Sequence, residues 1–261
     1  MTFEFDFILV GLMQIIGFFV QGCTGFGCTV IAAAVTNGLL GTAVGVPYGT
    51  LITLPFLYYL AFKSRHEVSW KDLLKIVVLC APGIVLGNYL FYSVSETTAK
   101  IGIGVMVTII ALMNIYKYII KPLVLKKEES DDEPDTLAKK IFSYGCLLVG
   151  GVVHGAFNIG GPLITVYTIG AVKDKEKFRN TMNMVWVVLN TYNAFNQYRN
   201  GAWNGQLFSA LAIGVPMAAV GFFLGMSFLK KINRTQFLRI VYCVLLIIGG
   251  DMLIRNLLVV L

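Results

Sequence analysis

Apolar segments of about 20 residues recur along the whole 261-residue chain, and they constrain the fold more than any other feature. An α-helix needs about 20 apolar residues to cross the ~30 Å hydrocarbon core of a bilayer. Charged residues make up only 13% of the chain, which is about half of the share usual in a soluble domain. The sequence therefore predicts an all-α polytopic membrane protein whose surroundings are the lipid bilayer. Its net charge of +7 is no reason to expect a nucleic-acid partner, because the location of charge matters more here than its sum.

Two glycine-rich stretches, Gly22–Cys28 and Gly155–Pro162, interrupt these apolar segments. Glycine frees the backbone to leave a helix, and Pro162 has no N–H group to donate inside one. Non-helical backbone within a membrane is tolerated only where protein buries it or water reaches it. Paired breaks in two halves of a chain point to a transporter binding site. We therefore interpret the two stretches as the two halves of one anion-translocation site.

The second half of the chain repeats the plan of the first. Three pairs of landmark residues share one offset of 133 positions: Gly22 with Gly155, Gly27 with Gly160, and Trp70 with Trp203. Such a constant offset argues for an internal duplication. We predict a first transmembrane repeat at 1–120, a charged cytoplasmic linker at 121–138 and a second transmembrane repeat at 139–261. In the second repeat, a basic loop at Lys173–Arg179 is expected to precede a helix at Asn180–Tyr198.

The distribution of positive charge favours one topology. If both broken segments crossed the membrane, eight crossings would form two parallel repeats, and the 21 Lys and Arg residues would divide twelve to nine between the faces. If each broken segment is a hairpin that returns to its own face, six helices cross and eighteen of the 21 lie on one face. The positive-inside rule favours the hairpins, and limbs of about 12 to 17 residues are also too short to cross. We therefore predict two inverted-topology repeats, each a re-entrant helical hairpin followed by three transmembrane helices, with both termini outside.

In this topology both glycine turns reach the middle of the membrane, where a helix begins after each turn. The free N–H groups and the macrodipole of a helix N-terminus can bind an anion. No Lys or Arg lies in the middle of a predicted crossing helix, so the expected site works without one. The predicted substrate-binding residues lie on the turns and on nearby helices: Gln21, Thr24, Gly25, Gly27, Thr50, His154, Asn158, Gly160, Gly161, Asn183 and Asn190.

The turn residues among these have simpler structural interpretations as well. Thr24 and Asn158 are suited to local capping of a turn. His154 is suited to be a charged ligand or a proton carrier, and equally to be a neutral histidine bonded to a neighbouring helix. Both interpretations remain open from the sequence alone.

The predicted helix after the second break carries a row of amides. Asn183, Asn190 and Gln197 are seven positions apart and share one face. Because buried amides need partners, this row indicates either a wet cavity or hydrogen bonds between helices. At the offset of 133 positions Asn183 corresponds to Thr50, so Thr50 and Thr53 are expected to line the same path.

The sequence around the second break resembles that of a known family. Residues 151–164, Gly-Val-Val-His-Gly-Ala-Phe-Asn-Ile-Gly-Gly-Pro-Leu-Ile, resemble the G-x-x-x-G-x-x-G-I-G-G-P-x-L signature of the TauE/SafE sulfite exporter family. Phe178-Arg-Asn-Thr resembles its F-R-A-T element. The chain departs from the family at Gly25-Phe-Gly-Cys, where several consecutive glycines are usual, and at His154 and Asn158. The resemblance implies a bacterial inner-membrane carrier that moves sulfite, organosulfonates such as sulfoacetate, or other small organic anions, usually outward.

These observations together predict a secondary transporter that exports a small anion by alternating access. An anion channel that uses the same turns as a filter is the alternative. An enzyme is not expected, because the chain has no HExxH or nucleophile-elbow motif and its two histidines, His66 and His154, lie far apart. No metal or other cofactor is expected, since the five cysteines lack metal-binding spacing. The direction of transport, the coupling ion and association into a homo-oligomer are left open.

Overall fold

The computed structural model describes residues 2–90, 96–125, 136–158 and 160–260, and every regular element within these ranges is helical. The elements are α1 (Thr2–Thr24), α2 (Cys28–Leu40), α3 (Thr42–Lys63), a 3₁₀ turn (Arg65–Glu67), α4 (Trp70–Leu90), α5 (Glu96–Ile115), a π-helical turn (Tyr116–Ile120), α6 (Lys121–Leu125), α7 (Leu137–Phe157), α8 (Gly161–Ala171), α9 (Lys175–Arg199), α10 (Gly205–Lys231) and α11 (Arg234–Val260). Helices α1, α3, α10 and α11 are each long and apolar enough to cross a membrane. The predicted all-α membrane protein is confirmed at this level.

The helix boundaries show the same 133-residue offset as the single residues compared above. Helices α1 and α7 end at Thr24 and Phe157, helices α2 and α8 begin at Cys28 and Gly161, and helices α3 and α9 begin at Thr42 and Lys175. Each of these three pairs is 133 positions apart. The duplication therefore extends from single glycines and tryptophans to the start and end of whole helices.

Two predicted boundaries are wrong. Helix α1 has 23 residues because it begins at Thr2; it is about 34 Å long, so the argument that this limb is too short to cross does not hold. Helix α9 begins at Lys175 rather than Asn180, because the Asp174 carboxylate accepts hydrogen bonds from the backbone N–H groups of Glu176 and Lys177. Most of the expected basic loop is therefore helix. Residues 126–135 of the predicted linker lie outside the described residues.

Both glycine-rich stretches are turns between antiparallel helices. After the first turn α2 folds back on α1, and the Gln14 Nε2 donates to Thr36 Oγ1 across the pair at 3.5 Å. After the second turn α8 folds back on α7, where Gly160 lies so close to Gly150 that a Cβ atom would overlap its carbonyl oxygen. Each stretch therefore separates two helices among the described residues instead of continuing as one helix.

The chain divides into two compact units, and each combines both sequence halves. Unit 1 is Met1–Val78 with Thr168–Lys231. In it α1 runs parallel to α10, since residues 11, 15 and 19 of α1 meet residues 217, 221 and 225 of α10. Glycines make this close approach possible. Helices α3 and α9 run antiparallel, and the rings of Phe18, Phe56 and Phe222 pack in the core.

Unit 2 is Leu79–Tyr167 with Ile232–Leu261, and its helix pairs mirror those of unit 1. The second half of α4 runs parallel to α7, again through glycines: a Cβ atom on Gly83 would lie 2.6 Å from the Leu148 carbonyl oxygen, and one on Gly155 would meet that of Ile84. Helices α5 and α11 run antiparallel, since residues 104 and 118 meet residues 253 and 239 in reverse order. At the repeat offset, the α1–α10 pair corresponds to the α7–α4 pair.

Candidate functional site

The first glycine turn lies in the interior of unit 1. Gln21, Thr24 and Phe26 are buried. Gly25 and Gly27 have φ angles of 83° and 100°, which side-chain-bearing residues rarely adopt. The Gln21 side chain donates to the Gly25 carbonyl oxygen at 3.2 Å, and Thr24 Oγ1 lies 2.8 and 2.9 Å from the carbonyl oxygens of Val20 and Phe26. The turn is thus closed by its own side chains, and Thr24 makes the local capping contacts considered above.

Helix α9 packs against one side of this turn. A Cβ atom on Gly25 would lie 2.7 Å from the Arg179 carbonyl oxygen and 3.2 Å from Met182 Cβ. One turn further along α9, the Trp186 indole Nε1 donates to the Gly25 carbonyl oxygen at 2.8 Å. The Gly25 carbonyl therefore accepts two side-chain hydrogen bonds, one from within the hairpin and one from α9.

Helix α2 begins at this turn without a side-chain cap. Its N-cap residue is Gly27, which offers no side-chain acceptor. The first hydrogen bond of the helix runs from Ile31 N to the Gly27 carbonyl oxygen at 3.0 Å. The N–H groups of Cys28, Thr29 and Val30 therefore have no acceptor within the helix. Cys28 is buried, and Thr29 and Val30 are half-buried. Amide donors of this kind, at the positive end of the helix dipole, are suited to an anion.

The row of amides on α9 faces α3, the helix that carries Thr50 and Thr53. That these residues line a transport path stays a prediction. Three side chains donate across the interface at 2.9–3.0 Å: Asn183 to the Leu57 carbonyl oxygen, Asn190 to Thr53 Oγ1, and Gln197 to Thr50 Oγ1. Hydrogen bonds between helices were one of the two interpretations that the sequence allowed for this row. They satisfy donors only, because the buried oxygens Asn183 Oδ1 and Gln197 Oε1 have no hydrogen-bond partner among the described residues.

A buried arginine beside the turn was missing from the predicted site. Arg179 is 3% exposed, and its Nε and Nη2 donate to Asn180 Oδ1 at 3.0 and 2.8 Å. Asn180 in turn donates to Glu67 Oε2 at 2.9 Å. The expectation of a site without Lys or Arg stays a prediction, but the earlier start of α9 places Arg179 in a helix whose backbone packs on the first turn. The signal in the sequence was the Phe178-Arg-Asn-Thr element.

The second glycine turn has the same helix–turn–helix form in unit 2. The C-cap residue of α7 is Asn158, which adopts a left-handed conformation with φ 58° and whose N–H group donates to the His154 carbonyl oxygen at 2.9 Å. Both side chains are buried. A Cβ atom on Gly160 would lie 2.7 Å from His154 Cβ, and Gly161 is the first residue of α8. Ile159 lies outside the described residues.

The predicted site residues thus fall into two groups. Unit 1 contains seven of them: Gln21, Thr24, Gly25, Gly27, Thr50, Asn183 and Asn190. Unit 2 contains the other four: His154, Asn158, Gly160 and Gly161. The shared site that joins both turns stays a prediction. Among the described residues, no group of three His, Cys, Asp or Glu side chains is placed to hold a metal ion.

Comparison with known proteins assigns the chain to a family. The family model described as "Sulfite exporter TauE/SafE" matches residues 7–252. A protein of Cupriavidus necator described as a "Probable sulfite/organosulfonate exporter TauE" is 24% identical over 256 residues, which cover 94% of this chain and 94% of that protein. No solved structure matches the chain.

Proposed function

Because the chain belongs to the sulfite exporter TauE/SafE family, we propose that it exports sulfite or an organosulfonate across the bacterial inner membrane. Its helices fit the multi-pass membrane transporter that membership of this family implies. The Cupriavidus relative, similar over nearly the full length of both chains, carries the name of such an exporter. The proposed mechanism is alternating access around an anion held at glycine turns.

Helix directions within each unit support inverted repeats. Helices α3 and α9 begin 133 positions apart, and they run antiparallel within unit 1. The last helices of the two halves, α5 and α11, run antiparallel within unit 2. Parallel repeats would give corresponding helices the same direction, whereas inverted repeats reverse it. The fold-back of α2 on α1 and of α8 on α7 agrees with re-entrant hairpins. With the positive-inside rule, this arrangement leaves both termini outside.

The observation that carries the proposed site is the start of α2, which lacks a side-chain cap and follows a buried turn. Three consecutive N–H groups without helical acceptors, at residues 28–30, follow a turn that Gln21 and Trp186 hold in place. Fixed backbone donors bind a small oxyanion without moving side chains, which keeps the entropy cost of binding low. At the repeat offset the start of α8 supplies the N–H groups of Gly161 and Leu163, since Pro162 has none. From the sequence we propose that they complete the site with His154, Asn158, Gly160 and Gly161.

Transport by the purified full chain in proteoliposomes tests this function. Vesicles loaded with sulfite, sulfoacetate, taurine, sulfate or acetate are compared with protein-free vesicles, and efflux is followed against internal concentration. We expect saturable efflux of sulfite or of a sulfonate and weaker efflux of acetate. Ohmic single-channel currents carried by the same anions would replace the carrier by a channel. Efflux equal to that of protein-free vesicles for every anion would refute the proposed function.

A further inference from the structure

The buried guanidinium of Arg179 forms no direct ion pair among the described residues. Burying a cation costs solvation free energy, which proteins offset by pairing it with an anion. Arg179 is 3% exposed, and both of its hydrogen bonds go to the neutral amide oxygen of Asn180. No carboxylate within the described part of the chain forms an ion pair with it, and Glu67, an exposed residue, is bonded to Asn180 instead.

The position of Arg179 points to the first glycine turn as the place where its counter-charge binds. The Arg179 backbone packs directly on Gly25. Its guanidinium interacts electrostatically with Cys23 of the hairpin, more weakly than with Glu176 and Glu67. Trp186 follows seven positions later on the same face of α9 and bonds to Gly25. Asn183, whose side chain donates to α3, keeps a buried Oδ1 without a hydrogen-bond partner among the described residues. The face of α9 that meets the hairpin thus carries a buried cation without a direct ion pair.

We propose that Arg179 is a further substrate-binding residue, which takes two oxygens of the sulfite or sulfonate group at the first turn. The inference rests on the proposed function. Asn180 occupies the Nε–Nη2 edge of the guanidinium, which leaves Nη1 and the second N–H of Nη2 for the anion. A planar fork of two N–H groups matches two oxygens of one oxyanion, whereas the lysine ammonium is a point charge without that geometry. Arg179 therefore makes the site selective for oxyanions over halides.

Arg179→Lys tests the assignment, with Arg199→Lys as the matched control. Arg199 lies at the other end of the same helix and is exposed. Both variants keep the charge, so the comparison isolates the bidentate geometry. Efflux of sulfite and of the organosulfonate that the wild type transports is measured in proteoliposomes, together with chloride competition. We expect Arg179→Lys to raise KM about 10- to 100-fold, from the loss of one charge-assisted hydrogen bond, and to let chloride compete more strongly. Arg199→Lys should match the wild type.

A second variant separates binding from a structural role and does not depend on the folding of Arg179→Lys. Glu67→Gln keeps an acceptor for Asn180 and removes the negative charge nearest to the network. If Arg179 binds the anion, KM falls, because one negative charge that opposes the anion is gone. If Arg179 only anchors the turn through the Asn180–Glu67 contact, which glutamine keeps, KM stays at the wild-type value.

The outcomes distinguish this inference from the function on which it rests. Efflux by the wild type together with equal KM values in Arg179→Lys and Arg199→Lys, or with an unchanged KM in Glu67→Gln, overturns the role of Arg179 and leaves the exporter in place. Absence of efflux from the wild type overturns both. A raised KM and stronger chloride competition in Arg179→Lys alone support the assignment.

Discussion

Replacing Gly25 by alanine tests whether the first turn is held by close packing as well as by its backbone conformation. Two costs add at this position. A residue with a side chain at φ 83° is strained by about 1–3 kcal/mol. The new Cβ atom would also lie 2.7 Å from the Arg179 carbonyl oxygen, which is backbone and cannot turn aside; overpacking of this kind costs about 1–3 kcal/mol. We therefore expect Gly25→Ala to destabilise the protein by roughly 2–6 kcal/mol.

Two other glycines near the same hairpin separate these costs. Gly41 has φ 74°, and no atom lies within 4 Å of the place that a Cβ atom would occupy, so Gly41→Ala should incur the strain alone, about 1–3 kcal/mol. Gly38 lies within α2 with open space around it and no positive φ angle. Gly38→Ala should therefore stabilise the protein by up to about 1 kcal/mol through helix propensity.

Thermal unfolding of the purified variants in detergent, followed by intrinsic fluorescence, measures this order. A change of 1 kcal/mol moves Tm by about 2–4 °C in a chain of this size, so Gly25→Ala should unfold at least about 4 °C below the wild type. Gly41→Ala should fall between Gly25→Ala and the wild type, and Gly38→Ala should lie at or above the wild type. A Tm of Gly25→Ala equal to or above that of Gly41→Ala would refute the close packing of the turn against α9.

Three further predictions follow from the second turn, the amide row and the topology. Asn158→Ala and Gly160→Leu should abolish anion efflux while the protein still reaches the membrane. Asn158→Gly separates substrate binding by Asn158 from its role in the turn, because glycine suits the left-handed backbone. Efflux retained in Asn158→Gly assigns Asn158 to the turn conformation alone. In a double-mutant cycle of Asn190→Leu and Thr53→Val, a coupling free energy of about 0.5–1 kcal/mol in thermal or chemical unfolding is expected from their 3.0 Å hydrogen bond, and strict additivity would contradict it. A cysteine placed at Lys173 should react only with reagents that reach the cytoplasm, and labelling from outside in intact cells would reverse the proposed orientation.

Glycine chemistry made the two turns predictable from the sequence, because clustered glycines and Pro162 in an apolar segment leave few alternatives to a break. The amide row was predictable for a similar reason, since helical spacing places Asn183, Asn190 and Gln197 on one face whatever lies opposite. The spacing along the helix does not identify the hydrogen-bond partner of each amide. Gln197, and not Asn183, bonds to Thr50 because α3 and α9 pack antiparallel, which the sequence does not show.

Capping and long-range packing account for what the sequence did not predict. The charged run at residues 173–179 suggested a loop, but one carboxylate, Asp174, satisfies two backbone N–H groups and starts α9 earlier. That shift places Arg179 inside a helix and beside the turn. The role of Trp186 had no local signal at all, because the carbonyl to which it donates, that of Gly25, lies 161 positions away in the chain.

The way α1 packs on α10 limits how the first turn can open. The carbonyl oxygens of Ile15 and Phe19 lie against Gly221 and Gly225 at distances that leave no room for a Cβ atom. Sliding α1 along α10 by one turn would bring side chains of α10 against that backbone, which a close-packed interface does not permit. Any motion that exposes the turn therefore has to carry α1, and α10 with it, as one body. The contacts free to change are those of the turn with α9, where Trp186 and the backbone of Arg179 meet Gly25. If the anion binds at this turn, as proposed above, access to it is controlled at the face of α9 that carries Arg179.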